Sequence, residues 1–404
     1  LGSGAPLTPA APPEAPGGFR DYPADRRHAP LTAPVVAGLR ATLGASSGRR
    51  DVFAKVGDSI TVSGHFARCL TGDDVRWGDH AALAATRDFF ARTPADDRGH
   101  DAFARATQAA AVGWRTHRVV LGLPTPLARE LDAVRPAWAV VMLGTNDTYP
   151  DAMQAFHHDL RRVLAALQER RVVPLLSTLP PRLDRADRAA QTVEMNAVVR
   201  ALAAELALPL MDLHGALAPL PHRGLARDGV HPEAFLADRY HPCWFDAAGS
   251  QGGMNQRNLL VLEALDRARR LVLGDEPPEP APPPPAGDGS WASPRSLGPL
   301  PAALAGDVAR GESRASRYAC GRDESPGPEQ VFRVEVATAG RVRARLFGGE
   351  GLTLRWLTGP AATDCTATAR RRLDVVVRPG THWLAVDSAR DAPANPYLLT
   401  VVSL

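Results

Sequence analysis

Lysine is almost missing from this sequence. Lys55 is the one example, and arginine supplies the rest of the positive charge. Lys plus Arg total 47 against 44 Asp plus Glu, a formal net charge of +3, and the arginines are scattered along the chain. That balance argues against nucleic acid or an anionic membrane as partner. Cysteine is also scarce: Cys69, Cys243, Cys320 and Cys365. None lies in a Cys-x-x-Cys, which argues against a zinc or dithiol redox motif. An even, sparse set fits two disulfides in an exported protein or four buried thiols, and composition does not decide between them. Long apolar runs are absent, so no segment reads as a membrane-spanning helix. The chain opens with Leu1 rather than Met, so this sequence reveals nothing about a signal peptide.

What is present is a chain of 404 residues, 45% of them hydrophobic. That length predicts two or three domains, and that composition a sizeable core. Residues 1–35 are rich in Pro, Ala and Gly and read as an N-terminal tether. A second break, "GDEPPEPAPPPPAGDGS", opens a Pro-rich linker over 274–304, because proline this dense neither continues a helix nor enters a sheet interior.

Between the breaks, over 36–273, short apolar runs alternate with helical stretches. "VFAKVG" (52–57), "AWAVVML" (137–143), "RVVPLLST" (171–178) and "LPLMDL" (208–213) have buried-strand character. Helical patterns cover 151–170, 186–206 and 255–273. Continuous apolar strands joined by helices predict a parallel sheet covered on both faces. Residues 65–106 read as a partly helical insertion. After residue 290 the period becomes two. In "QVFRVEV" Phe332, Val334 and Val336 alternate with Arg333 and Glu335, and similar short runs continue to the end. This predicts an antiparallel β-sandwich over 305–404.

Three polar pieces come directly after strands of the first domain. "GDSI" (57–60) carries Ser59 after the first strand, and "GTND" (144–147) carries Asn146 after a middle one. "DGVH" (228–231) pairs Asp228 with His231 three residues on, after the last strand. Ligands of open parallel sheets bind at the carboxyl ends of the strands. A serine there is a nucleophile candidate, an Asp–His pair its base and orienting carboxylate, and an asparagine amide an oxyanion donor. Taken singly, each piece reads as a turn or cap.

Together the pieces, in this order, resemble the GDSL/SGNH hydrolase family over about residues 50–273. The resemblance implies a flavodoxin-like three-layer α/β/α domain and ester hydrolysis through an acyl-enzyme on Ser59, with His231 and Asp228. It implies an oxyanion hole from Ser59 N–H, a glycine N–H and Asn146. Gly113 is the expected glycine and Gly122 the competing one. Asp58 and Asp147 are expected to brace their loops. The stretch after His231, with Tyr240, Trp244 and Phe245, reads as a substrate-contacting flap or as a packed loop joined to Cys69 through Cys243. "RNL" at 257–259 resembles a run that opens the last helix in some secreted members.

"GPE" (327–329) before an aromatic strand and "PGT" (379–381) before another resemble the bacterial pre-peptidase C-terminal domain family, a group of extracellular β-sandwiches. That match brings Cys320 and Cys365 into one small domain, where a disulfide is expected over unlinked thiols. The combined expectation is a secreted or cell-surface esterase, with the N-terminal segment as a candidate tether. Its partner would be an ester substrate, with acylated polysaccharide the leading class. A lipase or short-chain arylesterase, and a catalytically silent binding protein, are the rivals. No cofactor is expected. No metal is either, since His157, His158, His214, His222 and His241 lack ligand spacing.

Overall fold

The computed structural model describes residues 18–149, 151–321, 324–390 and 394–404. They form two compact units. The first comprises Asp25–Asn196 and Ala207–Pro280; the second comprises 18–24, Ala197–Leu206 and Ala281–Leu404.

The first unit is built on four parallel strands in the order β1 (Arg49–Val56), β2 (Pro136–Val141), β3 (Val173–Ser177) and β4 (Leu210–Met211). β2 and β3 are buried at every position, which is why they read as unbroken apolar runs. Beyond β1 a single parallel bridge, Gly57 to Ala110, stands where a further strand would lie. Gly57 N–H donates to Ala109 O at 3.1 Å. Counted with this remnant, the chain order across the sheet is 2-1-3-4-5, the flavodoxin-like arrangement. Its direction of winding reverses between β1 and β2, so the crevice at the carboxyl end lies between the loops after those two strands.

The helices are α1 (Ala33–Gly44), α2 (Ser59–Val62), α3 (Ala84–Ala91), α4 (Pro126–Val134), α5 (Ala152–Glu169), α6 (Ala186–Glu205), α7 (Leu213–Leu217) and α8 (Gly253–Arg267). α3 and α4 pack on β1, α1 and α5 on β3, and α8 on β4, giving the three-layer α/β/α fold. α5 shows why the sequence forms a helix there. Met153, Phe156, His157, Leu160, Val163, Leu164 and Leu167 recur at three- and four-residue spacing and are buried. α4 starts on Thr125, whose hydroxyl accepts from Ala128 N–H at 3.0 Å, with Pro126 at the first helical position. None of the described helices is long and apolar enough to cross a membrane.

The second unit packs two antiparallel-dominated sheets face to face. One has the order β10 (Cys365–Ala369), β9 (Leu352–Leu357), β12 (Gly380–Ser388), β7 (Glu329–Val336), β5 (Arg295–Ser296); the other β11 (Arg372–Val377), β8 (Gly340–Gly348), β13 (Pro396–Ser403), β6 (Ala302–Asp307). Phe332, Val334, Leu346, Trp356, Leu384 and Leu399 fill the space between them, while Arg333 and Glu335 point outward. The period-two reading therefore holds along β7. Cys320 is bonded to Cys365 in this unit, and Cys69 to Cys243 in the first.

Two expected boundaries shift. Residues 1–17 of the expected tether lie outside the described residues, but 18–35 belong to the units. Phe19 is buried against Phe332, Arg20 bridges Ala305, and His28 bridges Met211 beside β4. The expected 274–304 linker also contains structure. Glu279 accepts from Leu31 N–H and pairs with Arg267. β5 lies within the range and β6 begins in it, so the sandwich starts before residue 305. Proline bars helix and central strand, yet it leaves a stiff chain whose intervening side chains still find partners.

Candidate active site

β1 ends at Val56, and the next three residues make a sharp turn. A Cβ on Gly57 would lie 2.0 Å from Thr61 Oγ1, so the turn needs glycine there. Asp58 is fully buried, and its Oδ1 accepts from Ile60 N–H at 3.0 Å, capping α2. Burial pushes its carboxyl above the usual range. Ser59 opens α2 at the carboxyl end of β1.

Ser59 Oγ lies 2.9 Å from His231 Nε2. His231 Nδ1 lies 2.6 Å from Asp228 Oδ2. Asp228 Oδ1 accepts from the backbone N–H groups of Val230 (2.9 Å) and His231 (3.0 Å), so the carboxylate closes its own turn. Burial alone would raise this carboxyl. The His231 N–H, the imidazole and the Val230 N–H outweigh it and hold it below the ordinary range. An ionised Asp228 requires the Nδ1–H tautomer, which leaves Nε2 to accept from the serine hydroxyl. Gly229 sits at φ +68, and a Cβ there would meet Asp184 N at 2.8 Å. Leu183 N–H donates to Gly229 O at 2.8 Å, fixing the turn to the segment after β3.

The loop after β2 holds Asn146. Gly144, at φ +131, starts it, because a Cβ would collide with Leu179 and Phe156. Asn146 Nδ2 donates to Trp114 O at 3.0 Å, using one of its two amide hydrogens. Asp147 Oδ2 accepts from Thr116 N–H (3.0 Å) and Oγ1 (2.9 Å). Burial pushes the Asp147 carboxyl up to about 6, against the Thr116 hydrogen bonds, with Asp159 adding to the rise and Arg115 opposing it. Three bonds thus tie the 144–147 loop to residues 114–116, next to Gly113 at φ +74. No hydrogen bond of Asn146 reaches the Gly122 segment among the described residues. Asp58 and Asp147 both occupy loop-bracing positions.

Three supports had no role assigned from the sequence, although Arg257 and Asn258 belong to the "RNL" run. Arg257, buried in α8, donates to Ile60 O (2.6 Å) and Thr61 Oγ1 (2.8 Å), and its guanidinium lies 3.7 Å over Phe66. It grips the backbone right after Ser59. Burial lowers its pKa to about 9, with Asp58 opposing. Asn258 joins Ala67 N–H, His65 O and Pro242 O. Arg182 donates to Thr145 O at 2.7 Å and so supports the loop of Asn146. For α8 a signal existed: Asn255, Gln256, Arg257 and Asn258 are four polar residues in a closing helix, and all four are buried.

The stretch after His231 is packed as well as aromatic. His241 sits between Asp74 and Asp238, each at 2.7 Å, and stacks on Trp244. Trp244 Nε1 donates to Asp74, and Cys243 is bonded to Cys69. The other expected histidines lie apart: His157 in α5, His214 beside Asn196, His222 on Leu225 O. Among the described residues no group of three or more His, Cys, Asp or Glu is placed to hold a metal.

Residues 56–235 match the model of the GDSL-like Lipase/Acylhydrolase family, less than half of the chain but the part that carries the site. Among curated protein sequences no significant match is found. Solved structures with similarity include a GDSL-like lipase from Bacteroides thetaiotaomicron VPI-5482, with 12% identity over 58% of this chain and 98% of that one, TM-score 0.35. A putative acylhydrolase from Bacteroides fragilis NCTC 9343 gives 14% identity over 57% and 94%, TM-score 0.35. An acetylxylan esterase from Geobacillus stearothermophilus gives 18% over 55% and 94%, TM-score 0.35. At these values the likenesses carry no argument about substrate or mechanism.

Proposed function

We propose that the first unit is a serine esterase of the GDSL/SGNH type, acting on carboxylic esters through an acyl-enzyme. The observation that carries this reading is the continuous chain from Ser59 Oγ to His231 Nε2 (2.9 Å) and from His231 Nδ1 to Asp228 Oδ2 (2.6 Å). Serine is a weak nucleophile until a base takes its proton. Ser59 Oγ attacks the ester carbonyl carbon as His231 Nε2 accepts the hydroxyl proton. The carbonyl π pair moves onto oxygen, and the N–H groups of Ser59 and Gly113 with the Asn146 amide receive that charge. The tetrahedral species expels the alcohol, which takes the proton from His231. Water then repeats the sequence on the acyl-serine and frees the acid. Asp228 holds the tautomer and stabilises the imidazolium. The Asn146–Trp114 bond supports Gly113 over Gly122 as the glycine of the oxyanion hole.

An O-acyl group on a carbohydrate is the substrate class we favour, and the two disulfides favour an exported protein. In this reading the C-terminal sandwich is an accessory module of the pre-peptidase C-terminal type. The test is hydrolysis of p-nitrophenyl acetate by the wild type and by Ser59→Ala. The wild type should turn over and the variant should fall to background. Equal rates in both would refute the reading. Acetate release from acetylated glycans, against chain-length preference on p-nitrophenyl esters, separates carbohydrate esterase from lipase.

A further inference from the structure

A pocket of about 400 Å³ opens beside Asn146, and its wall is built of arginine. Arg115, Arg182, Arg185 and Arg188 line it, with Tyr149. Arg182, Arg185 and Arg188 lie in one short segment after β3, and the fold brings Arg115 to them. Arg182 anchors the wall to the site by donating to Thr145 O, and the Leu183–Gly229 bond joins the same segment to the turn that holds Asp228 and His231. The pocket therefore borders the asparagine loop, and the segment that walls it is bonded to the histidine turn.

The positive charge is in excess. Asp184 pairs with Arg182 at 2.7 Å and with Arg188 at 3.2 Å, so one carboxylate serves two guanidiniums. Asp187 pairs with Arg185 at 2.8 Å. Arg115 makes no ion pair among the described residues and stacks over Tyr149, 4.6 Å from the ring centroid. Asp147 acts on Arg115 electrostatically without an ion pair, its Oδ2 being taken by Thr116. Four guanidiniums thus meet two ion-paired carboxylates and Asp147 at longer range, and Arg115 keeps its donors for a ligand. The volume suits a small-molecule moiety, and the planar fork of arginine matches a carboxylate.

Resting on the esterase reading, we propose that this pocket is an anion subsite and that the ester substrate carries a carboxylate on the portion lying beyond Asn146. An O-acylated uronate saccharide carries it on the alcohol side, and a dicarboxylic half-ester on the acyl side. Arg115 and Arg188 are specificity-determining residues that bind the anion without joining the proton transfers.

The test compares matched esters. On the alcohol side, 4-acetoxybenzoate is set against 4-acetoxybenzamide. On the acyl side, mono-p-nitrophenyl glutarate is set against p-nitrophenyl butyrate. A charge-assisted contact should favour the anionic member in kcat/KM by about tenfold or more on one arm, through KM. That arm identifies the side that carries the carboxylate. The preference should shrink in Arg115→Gln and Arg188→Gln and with added sodium chloride. Ratios near one on both arms, or a preference that neither substitution nor salt alters, overturn the proposal. Ser59→Ala separates its failure from that of the esterase reading. Binding of oligogalacturonate to that variant, measured calorimetrically, should vanish when Arg115→Gln and Arg188→Gln are added. No binding even before they are added, together with no charge preference, refutes the subsite whether or not Ser59 is a nucleophile.

Discussion

Replacing Asp147 by Asn tests the electrostatics of the site loop. The Asp147 carboxyl is buried, and its pKa is pushed up to about 6 from 3.8. A carboxyl raised on folding makes the ionised form the costly one. Protonated, it leaves stability intact; as pH rises from about 4 through about 6, the folded state loses ground to an unfolded state that ionises readily. The full loss is about 3 kcal/mol, at about 1.4 kcal/mol per pKa unit. Asparagine keeps an oxygen for Thr116 N–H and Oγ1 and never ionises, so its stability should lack this component. Other groups titrate alike in both proteins and cancel in the comparison. Urea unfolding at about pH 4 and about pH 8 should show Asp147→Asn gaining about 2–3 kcal/mol on the wild type across that interval. Parallel pH–stability curves would refute the reasoning, since they would mean that Asp147 titrates as it does in the unfolded chain.

Asn146→Ala should lower kcat on p-nitrophenyl acetate by about 10²–10³ with an unchanged unfolding midpoint, the loss of one oxyanion donor. Arg257→Met should destabilise the first unit by about 3–5 kcal/mol, because Ile60 O and Thr61 Oγ1 lose their donor and Asp58 its neighbouring cation; a midpoint close to wild type would contradict this. Breaking Cys69–Cys243 by a double Ser substitution should lower stability by up to about 5 kcal/mol in the chain-entropy model, given a separation of 174 residues. His241 is held above the ordinary histidine range by its bond to Asp238, against burial, and by Asp74. Its contribution to the stretch around Trp244 is complete below the ordinary histidine range and lost as pH rises through the raised folded pKa, so Trp244 fluorescence should report loosening as pH is raised and none as it is lowered towards mild acid.

The four candidate side chains were legible because they occupy short polar motifs, Ser59 and Asn146 just past β1 and β2 and the Asp228–His231 pair in the longer stretch after β4, and an open sheet gathers such segments at one edge. Ser59, Asp228 and His231 are brought within hydrogen-bond reach from loops 172 residues apart in the Ser59–His231 case. From sequence, the preference for Gly113 over Gly122 rests on the family resemblance alone, because the contact that supports it, Asn146 to Trp114 O, joins two loops. The position beside β1 holds only the Gly57–Ala110 bridge, too short to leave a periodic pattern in the sequence. The outer boundaries were misjudged for another reason. Proline marks where helix and central strand stop, but not where packing stops. Phe19, Glu279 and Arg295 lie in Pro-rich surroundings and all three make specific contacts.

The arginines show most clearly where sequence reasoning gives way to geometry. Read along the chain they are scattered, and the near-zero net charge argues for no charged partner class. Folding sorts them into different roles. Arg257 is sealed in, with two acceptors and an aromatic face, and holds the turn after Ser59. Arg182 is buried against Thr145 O and Asp184, and supports Asn146 through the backbone. Arg115, the next layer out, has no ion pair among the described residues and faces the pocket. A guanidinium stays charged in all three settings, so it can brace a buried loop without a proton being lost at neutral pH. Burial lowers the pKa of Lys55, bonded to Phe103 O, to about 8 and that of Arg257 to about 9, so the arginine keeps the wider margin above neutral pH. The same charge permanence that suits arginine to bracing the site also suits the outward layer to holding an anion. In the proposed anion subsite, local potential beside Asn146, rather than net charge, would select the substrate.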